Sequence, residues 1–99
     1  MRTVSLPAAS LPATVAVGDL VIAVFKEGDR YYAIENRCPH RGAPLDKGLQ
    51  VGADIICPLH HFRFALETGQ CHLPKTLRAR TFPVRCEGEV LAIEVPDPK

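Results

Sequence analysis

The chain has 99 residues, 46% of them hydrophobic and 23% charged, with twelve Lys/Arg balanced by eleven Asp/Glu. That length suits one domain with a small core, burying roughly 60–65% of the surface its unfolded form exposes, so a metal centre would be a useful additional tie. The near-zero net charge excludes a global basic field for nucleic acid or an anionic membrane, and leaves attraction to partners as a local matter.

Residues 1–13 read as an extended or partly mobile lead-in, because Pro7 and Pro12 disfavour helix at their own positions and just before them. The same prolines interrupt any long apolar run, so neither a signal peptide nor a membrane span is expected there, and a cytoplasmic location follows. The domain proper is expected over 14–95, with 96–99 as a tail. Val15, Val17, Leu20, Ile22 and Val24, then Tyr31 to Ile34, form β-branched and aromatic runs on either side of Glu27-Gly28-Asp29, which predicts a hairpin. Residues 36–52 are rich in turn formers (Pro39, Gly42, Pro44, Gly48, Gly52) and lead into a short apolar strand over 53–57. Arg63 to Leu66 predicts another strand, ended by Glu67-Thr68-Gly69. Finally Phe82, Val84 and Cys86, the turn Glu87-Gly88-Glu89, and Leu91, Ile93 and Val95 alternate as a closing hairpin. No stretch longer than ten residues keeps a helical period without Gly or Pro inside it. The fold class is therefore all-β, a small antiparallel barrel or sandwich.

Two short motifs carry the chemistry: Cys38-Pro39-His40 and Cys57-Pro58-Leu59-His60, separated by the 16 residues from Arg41 to Ile56. Each offers one thiolate and one imidazole in turn-forming sequence at a strand end, where two loops can close on one centre from opposite sides. With only one residue between them, Cys38 and His40 reach a single small ion awkwardly but can serve the two irons of a binuclear centre. In a Rieske centre two Cys hold one iron and two His the other. Four cysteines in a short chain could instead form disulfides, but without an export signal, and with two of them spaced against histidines, metal binding is the stronger reading.

Cys-x-His, 16 residues, Cys-x-x-His resembles the Rieske [2Fe-2S] family pattern, and the likeness extends to Arg41-Gly42-Ala43-Pro44-Leu45, to 62–69, to Pro74 and to Thr81-Phe82-Pro83-Val84-Arg85. The resemblance is to soluble Rieske ferredoxins and the small subunit of NAD(P)H-dependent nitrite reductases. It implies one [2Fe-2S] cluster, with Cys38 and Cys57 on a buried ferric iron and His40 and His60 on an outer iron, near the surface, that changes oxidation state. It also implies a small Rieske-type fold with a cluster-binding subdomain of two loops, and no bond-making catalysis by the chain itself. A complete ring-hydroxylating oxygenase needs a second, mononuclear iron domain, for which 99 residues leave no room. The implied role is that of a one-electron carrier, with a flavoprotein reductase as donor and a terminal oxygenase or similar enzyme as acceptor. The alternative acceptor is a nitrite reductase large subunit, with this chain as its fixed small subunit. A further alternative, from a different class, is a zinc-stabilised binding module without redox activity, since Cys2His2 also suits Zn²⁺.

Departures from the respiratory-complex type sharpen the expectation. Its two extra loop cysteines are replaced by Ala43 and Leu59, so no loop-to-loop disulfide can form, and its Ser and Tyr hydroxyl donors are replaced by Phe62 and Phe64. Fewer donors to the cluster imply a potential near the lower end of the family range of roughly −150 to +300 mV. His61 stands where the family usually has glycine, so His60 or His61 could face the iron; spacing favours His60. Cys71 and Cys86 are expected as buried or half-buried thiols and His72 as solvated. Pro74 is expected to shield the cluster from water. Arg37, Arg41, Lys47 and Arg63 flank the ligand loops as a soluble rim or as docking charges.

Overall fold

Four tight turns with glycine in first place set the strand boundaries. In the computed structural model, which describes residues 2–39, 42–58, 62–72 and 75–96, these turns are Gly18-Asp19, Gly28-Asp29, Gly52-Ala53 and Gly88-Glu89. Gly28 has φ +61°, the left-handed conformation that a two-residue hairpin turn requires and that glycine adopts without steric cost. The strands they join are β1 (Arg2–Pro7), β2 (Ala13–Val17), β3 (Leu20–Glu27), β4 (Arg30–Glu35), β5 (Leu49–Val51), β6 (Asp54–Ile56), β7 (Arg63–Ala65), β8 (Thr81–Phe82), β9 (Val84–Glu87) and β10 (Val90–Val95). They form three antiparallel sheets with strand orders β1-β10-β9, β2-β3-β4-β8 and β5-β6-β7. The all-β expectation holds: apart from two single 3₁₀ turns, no helix occurs among the described residues.

The second sheet is the middle layer, and its sequence shows why. Ile22 and Val24 of β3, with Ala33 of β4, point into a core shared with Leu91, Ile93 and Val95. Their neighbours Ala23, Phe25 and Ile34 point to the other side, into a core with Leu45, Ile55, Phe64 and Leu66. A strand buried on both faces needs no polar alternation, which accounts for the unbroken run Ile22 to Phe25. Each large side chain fully buried here contributes about 1.5–3 kcal/mol.

The excursion that carries both Cys motifs leaves the middle sheet after β4 and returns at β8. Its ends are pinned side by side by Ala33↔Phe82 and Ile34↔Thr81, and by the Glu35 N–H donating to the Arg80 carbonyl at 2.7 Å. The described residues between 36 and 80 thus form a lobe laid over one face of a β-sheet body.

Two local expectations change. The N-terminal stretch is extended, but Arg2–Pro7 pairs with β10 over six residues, and Val4 and Leu6 pack on the second core. At Pro83 the chain switches sheets, so Phe82 and Cys86 do not share one strand. Cys71 is buried as expected, whereas Cys86 is exposed. Cys86 lies near the end of the edge strand β9, with its thiol donating to the Gly88 carbonyl of its own turn at 3.2 Å, and no layer covers it there. Alkylation of the native, cluster-loaded protein with iodoacetamide should therefore modify one cysteine rapidly, and Cys86→Ser should remove that reaction. Rapid labelling of Cys71 in the folded protein would contradict the burial pattern.

Candidate metal centre

The cysteine of each motif makes the same backbone hydrogen bond. The Cys38 N–H donates to the Ala43 carbonyl at 2.7 Å, and the Cys57 N–H donates to the Phe62 carbonyl at 2.7 Å, so each cysteine closes a turn onto the residue five positions later. Each cysteine is followed by a proline, which cannot continue a strand ladder and turns the chain away. In the first turn the Gly42 N–H also returns to the Cys38 carbonyl at 2.7 Å, with Gly42 at φ +74°. Cys38 and Cys57 are both fully buried and belong to one hydrophobic core, together with Leu45, Ile55, Phe64 and Leu66.

Side chains outside the motifs brace this arrangement. Asn36, at the foot of the first loop, donates through Nδ2 to Asp46 Oδ1 at 2.8 Å, and its own Oδ1 accepts from the Asp46 N–H at 2.7 Å. This reciprocal clamp spans the first loop from outside. Removing it in Asn36→Ala leaves the part-buried Asp46 without both bonds, and should cost about 1–3 kcal/mol in chemical denaturation. Asn36→Asp, which keeps one acceptor but sets two carboxylates together, should not rescue it. Gly48 fits because a Cβ there would fall 1.9 Å from the Ile56 carbonyl, so the first loop's return passes directly against the strand that delivers Cys57.

A third arm, residues 69–72 and 75–80, closes the lobe. The Ala79 N–H donates to the Gly69 carbonyl at 2.8 Å, the Cys71 N–H to Leu77 at 3.0 Å and the His72 N–H to Arg63 at 2.8 Å. Asp54 receives Arg63 Nε and Nη2, both at 2.8 Å, and His72 Nε2 lies 3.4 Å from its other oxygen with the imidazole half exposed. These are partly solvated pairs, worth about 1 kcal/mol or less each.

Of the expected ligands, the structure brings Cys38 and Cys57 into one core. His40 and His60 lie outside the described residues, as do Arg41, Leu59, His61 and Pro74. Among the described residues no group of three His, Cys, Asp or Glu side chains gathers to hold an ion. Cys71 shares the core but stands on the strand bridge to Phe64, as a packing thiol. None of Cys38, Cys57, Cys71 and Cys86 forms a disulfide. Two buried thiols, each on a cysteine whose N–H donates to the carbonyl five residues later, suit a metal group. Thiolates buried in an apolar core need a cationic partner, and a metal supplies one. Phe62 packs against this core and Phe64 lies within it, so neither position offers a hydroxyl donor. Sequence reading missed Asn36–Asp46 and the Gly48 contact, because a side-chain bond across ten residues leaves no periodic trace.

The profile of the Rieske [2Fe-2S] domain matches residues 1–83. A ferredoxin subunit of 3-phenylpropionate/cinnamic acid dioxygenase from Shigella boydii is 42% identical over 79 residues, covering 78% of this chain and 74% of that one. Among solved structures, the ferredoxin of carbazole 1,9a-dioxygenase from Nocardioides aromaticivorans superposes with a TM-score of 0.77 at 34% identity, over 95% of this chain and 88% of that one. A chain from the complex of reduced oxygenase and oxidized ferredoxin in carbazole 1,9a-dioxygenase gives 0.83 at 32% identity, over 92% and 100%. Among the described residues no helix is long and apolar enough to cross a membrane.

Proposed function

The chain belongs to the Rieske [2Fe-2S] domain family, and from that premise we propose that Cys38, Cys57, His40 and His60 would hold its cluster, the two thiolates from the buried core. The protein is an electron carrier of the ferredoxin type and not itself a catalyst of bond-making. When bound, the cluster takes up and gives back one electron. The chain's own residues hold the loops at fixed separation, bury the thiol side in an apolar core and keep polar hydroxyls away from it. The observation that carries this reading is the pair of fully buried thiols closing two equivalent turns onto one core.

The donor proposed is a flavoprotein reductase, and the acceptor is a terminal oxygenase, in keeping with the oxygenase systems for which the relatives are named. Those names do not favour the nitrite reductase small-subunit alternative over the free carrier.

Spectroscopy of the reconstituted protein tests the cluster. The oxidised form should be red-brown with two irons and two labile sulfides per chain, and the reduced form should give a rhombic paramagnetic signal with average g below 2. A colourless protein with one zinc per chain would overturn the proposal in favour of the binding module. Single substitutions assign the histidines: His60→Ala should lose the signal and His61→Ala should keep it, and the reverse result would move the ligand to His61.

A further inference from the structure

The near-zero net charge conceals a division along the chain. Between Arg37 and Arg80 there are seven Lys/Arg and three Asp/Glu, net +4, while the rest carries five against eight, net −3. That division coincides with the structural one between the lobe over 36–80 and the β-sheet body that pins its ends. Two of the lobe's three acids are already engaged, Asp46 by Asn36 and, at 4.0 Å, by the Lys47 ammonium, and Asp54 by Arg63 and His72. Meanwhile the Lys47 side chain is 74% exposed, and Lys75 and Arg78 are exposed as well.

Strand register sorts the lobe's side chains by face. Phe64 bridges Cys71 and pairs with Ile55, and these three buried residues define the inner face. One residue along, Leu49, Ile56 and Arg63 lie in a row on the outer face, with Val51, Asp54 and Ala65 in the next row. Gln70 alternates with Cys71, so its bridge to Arg78 belongs to the outer face too. Leu49 is 64% exposed and Val51 40%. An exposed apolar centre with a basic rim has the composition of a protein-docking surface, and Ile56 leads straight into Cys57.

We propose that the outer face of β5-β6-β7 is a docking face for an acidic surface on the redox partner protein, and that the acidic body orients the approach by repelling that same surface. The inference rests on the electron-carrier reading and adds the partner's chemistry to it. A chain with separated poles is turned as it approaches, so the basic lobe leads.

Cluster-loaded protein, reduced with dithionite, can be reoxidised in stopped flow by hexacyanoferrate(III), an anion, or by hexaammineruthenium(III), a cation. In each case one electron leaves the cluster and reduces one metal complex, with no bond made or broken. Two triple variants remove the same net charge from different places: Lys47→Gln/Lys75→Gln/Arg78→Gln from the lobe, and Lys26→Gln/Arg30→Gln/Arg85→Gln from the body. At low ionic strength the lobe variant should react about tenfold more slowly with hexacyanoferrate and faster with hexaammineruthenium, whereas the body variant should stay within about twofold. The differences should vanish at high salt. Equal effects of both variants, or none while electron exchange continues, would overturn the docking face. Salt-sensitive self-association through it, read by sedimentation, would overturn the choice of partner. Should the lobe variant lose its cluster, Lys47→Gln alone serves, with a smaller shift of the same signs expected and its absence counting against the proposal. Failure of the unsubstituted protein to exchange electrons with either complex would overturn the carrier reading itself, and this inference with it.

Discussion

Cys38→Ser and Cys57→Ser should each yield a colourless protein whose lobe has come loose while its body stays folded. Serine is a harder and far less acidic donor than a thiol, and here it would place a hydroxyl in an apolar core at a fully buried position. The lobe has little to spare: its three strands are three residues each, and its other described residues run in turns, bends and irregular segments with one 3₁₀ turn. Binding free energy at such a centre is largely folding free energy. The body has its own core of Ile22, Val24, Leu91, Ile93 and Val95 and four strands of six to eight residues, β1, β3, β4 and β10, so it should survive. Hydrogen exchange should show rapid exchange over 36–80 with protection kept in β3, β4 and β10. Cys71→Ala is the control, because Cys71 is equally buried in the same core yet should keep the visible spectrum. Retention of colour by either serine variant, or its loss in Cys71→Ala, would refute the assignment of the thiols.

The second large effect belongs to a residue with no chemistry at all. Gly69→Ala should lower stability by about 3 kcal/mol or more. The backbone there has φ +79°, which alone disfavours a side chain by about 1–2 kcal/mol. In addition, a Cβ would sit 1.9 Å from the Ala79 carbonyl oxygen and 3.1 Å from the Thr81 methyl carbon. The obstacle is backbone, not a side chain that can swing aside, and moving it breaks the Ala79-to-Gly69 hydrogen bond that holds the third arm. At roughly 4 °C or more per kcal/mol for a domain of this size, the midpoint of thermal unfolding should fall by about 12 °C or more. Gly28→Ala separates the two causes. It shares the left-handed φ, but its Cβ would meet nothing within 4 Å, so its loss should stop at about 1–2 kcal/mol. Equal losses in the two variants would mean that conformation, not collision, is the whole effect.

The hairpins were legible because local chemistry specifies them: β-branched runs separated by glycine turns leave few alternatives at Glu27-Gly28-Asp29 or Glu87-Gly88-Glu89. The two Cys motifs were legible because ligand spacing is a local property. Harder to read were features fixed by distant partners. Val4 and Leu6 alternate as a strand should, but Pro7 and Pro12 overshadow them, and the partner β10 lies at the other end of the chain. Leu49–Val51 is too short for a periodic signal and becomes β5 only through pairing with β6. Cys86 follows the parity of a buried strand, but Pro83 sends that strand to a different sheet, where Cys86 falls near an uncovered end.

The paired ends of the lobe carry a consequence for how the protein can vary. Once β4 and β8 are zipped, some forty-five residues have been gathered into a closed loop, whose closure entropy grows only slowly with its length. The lobe could therefore lengthen or shorten over evolutionary time without rewiring the base that carries it.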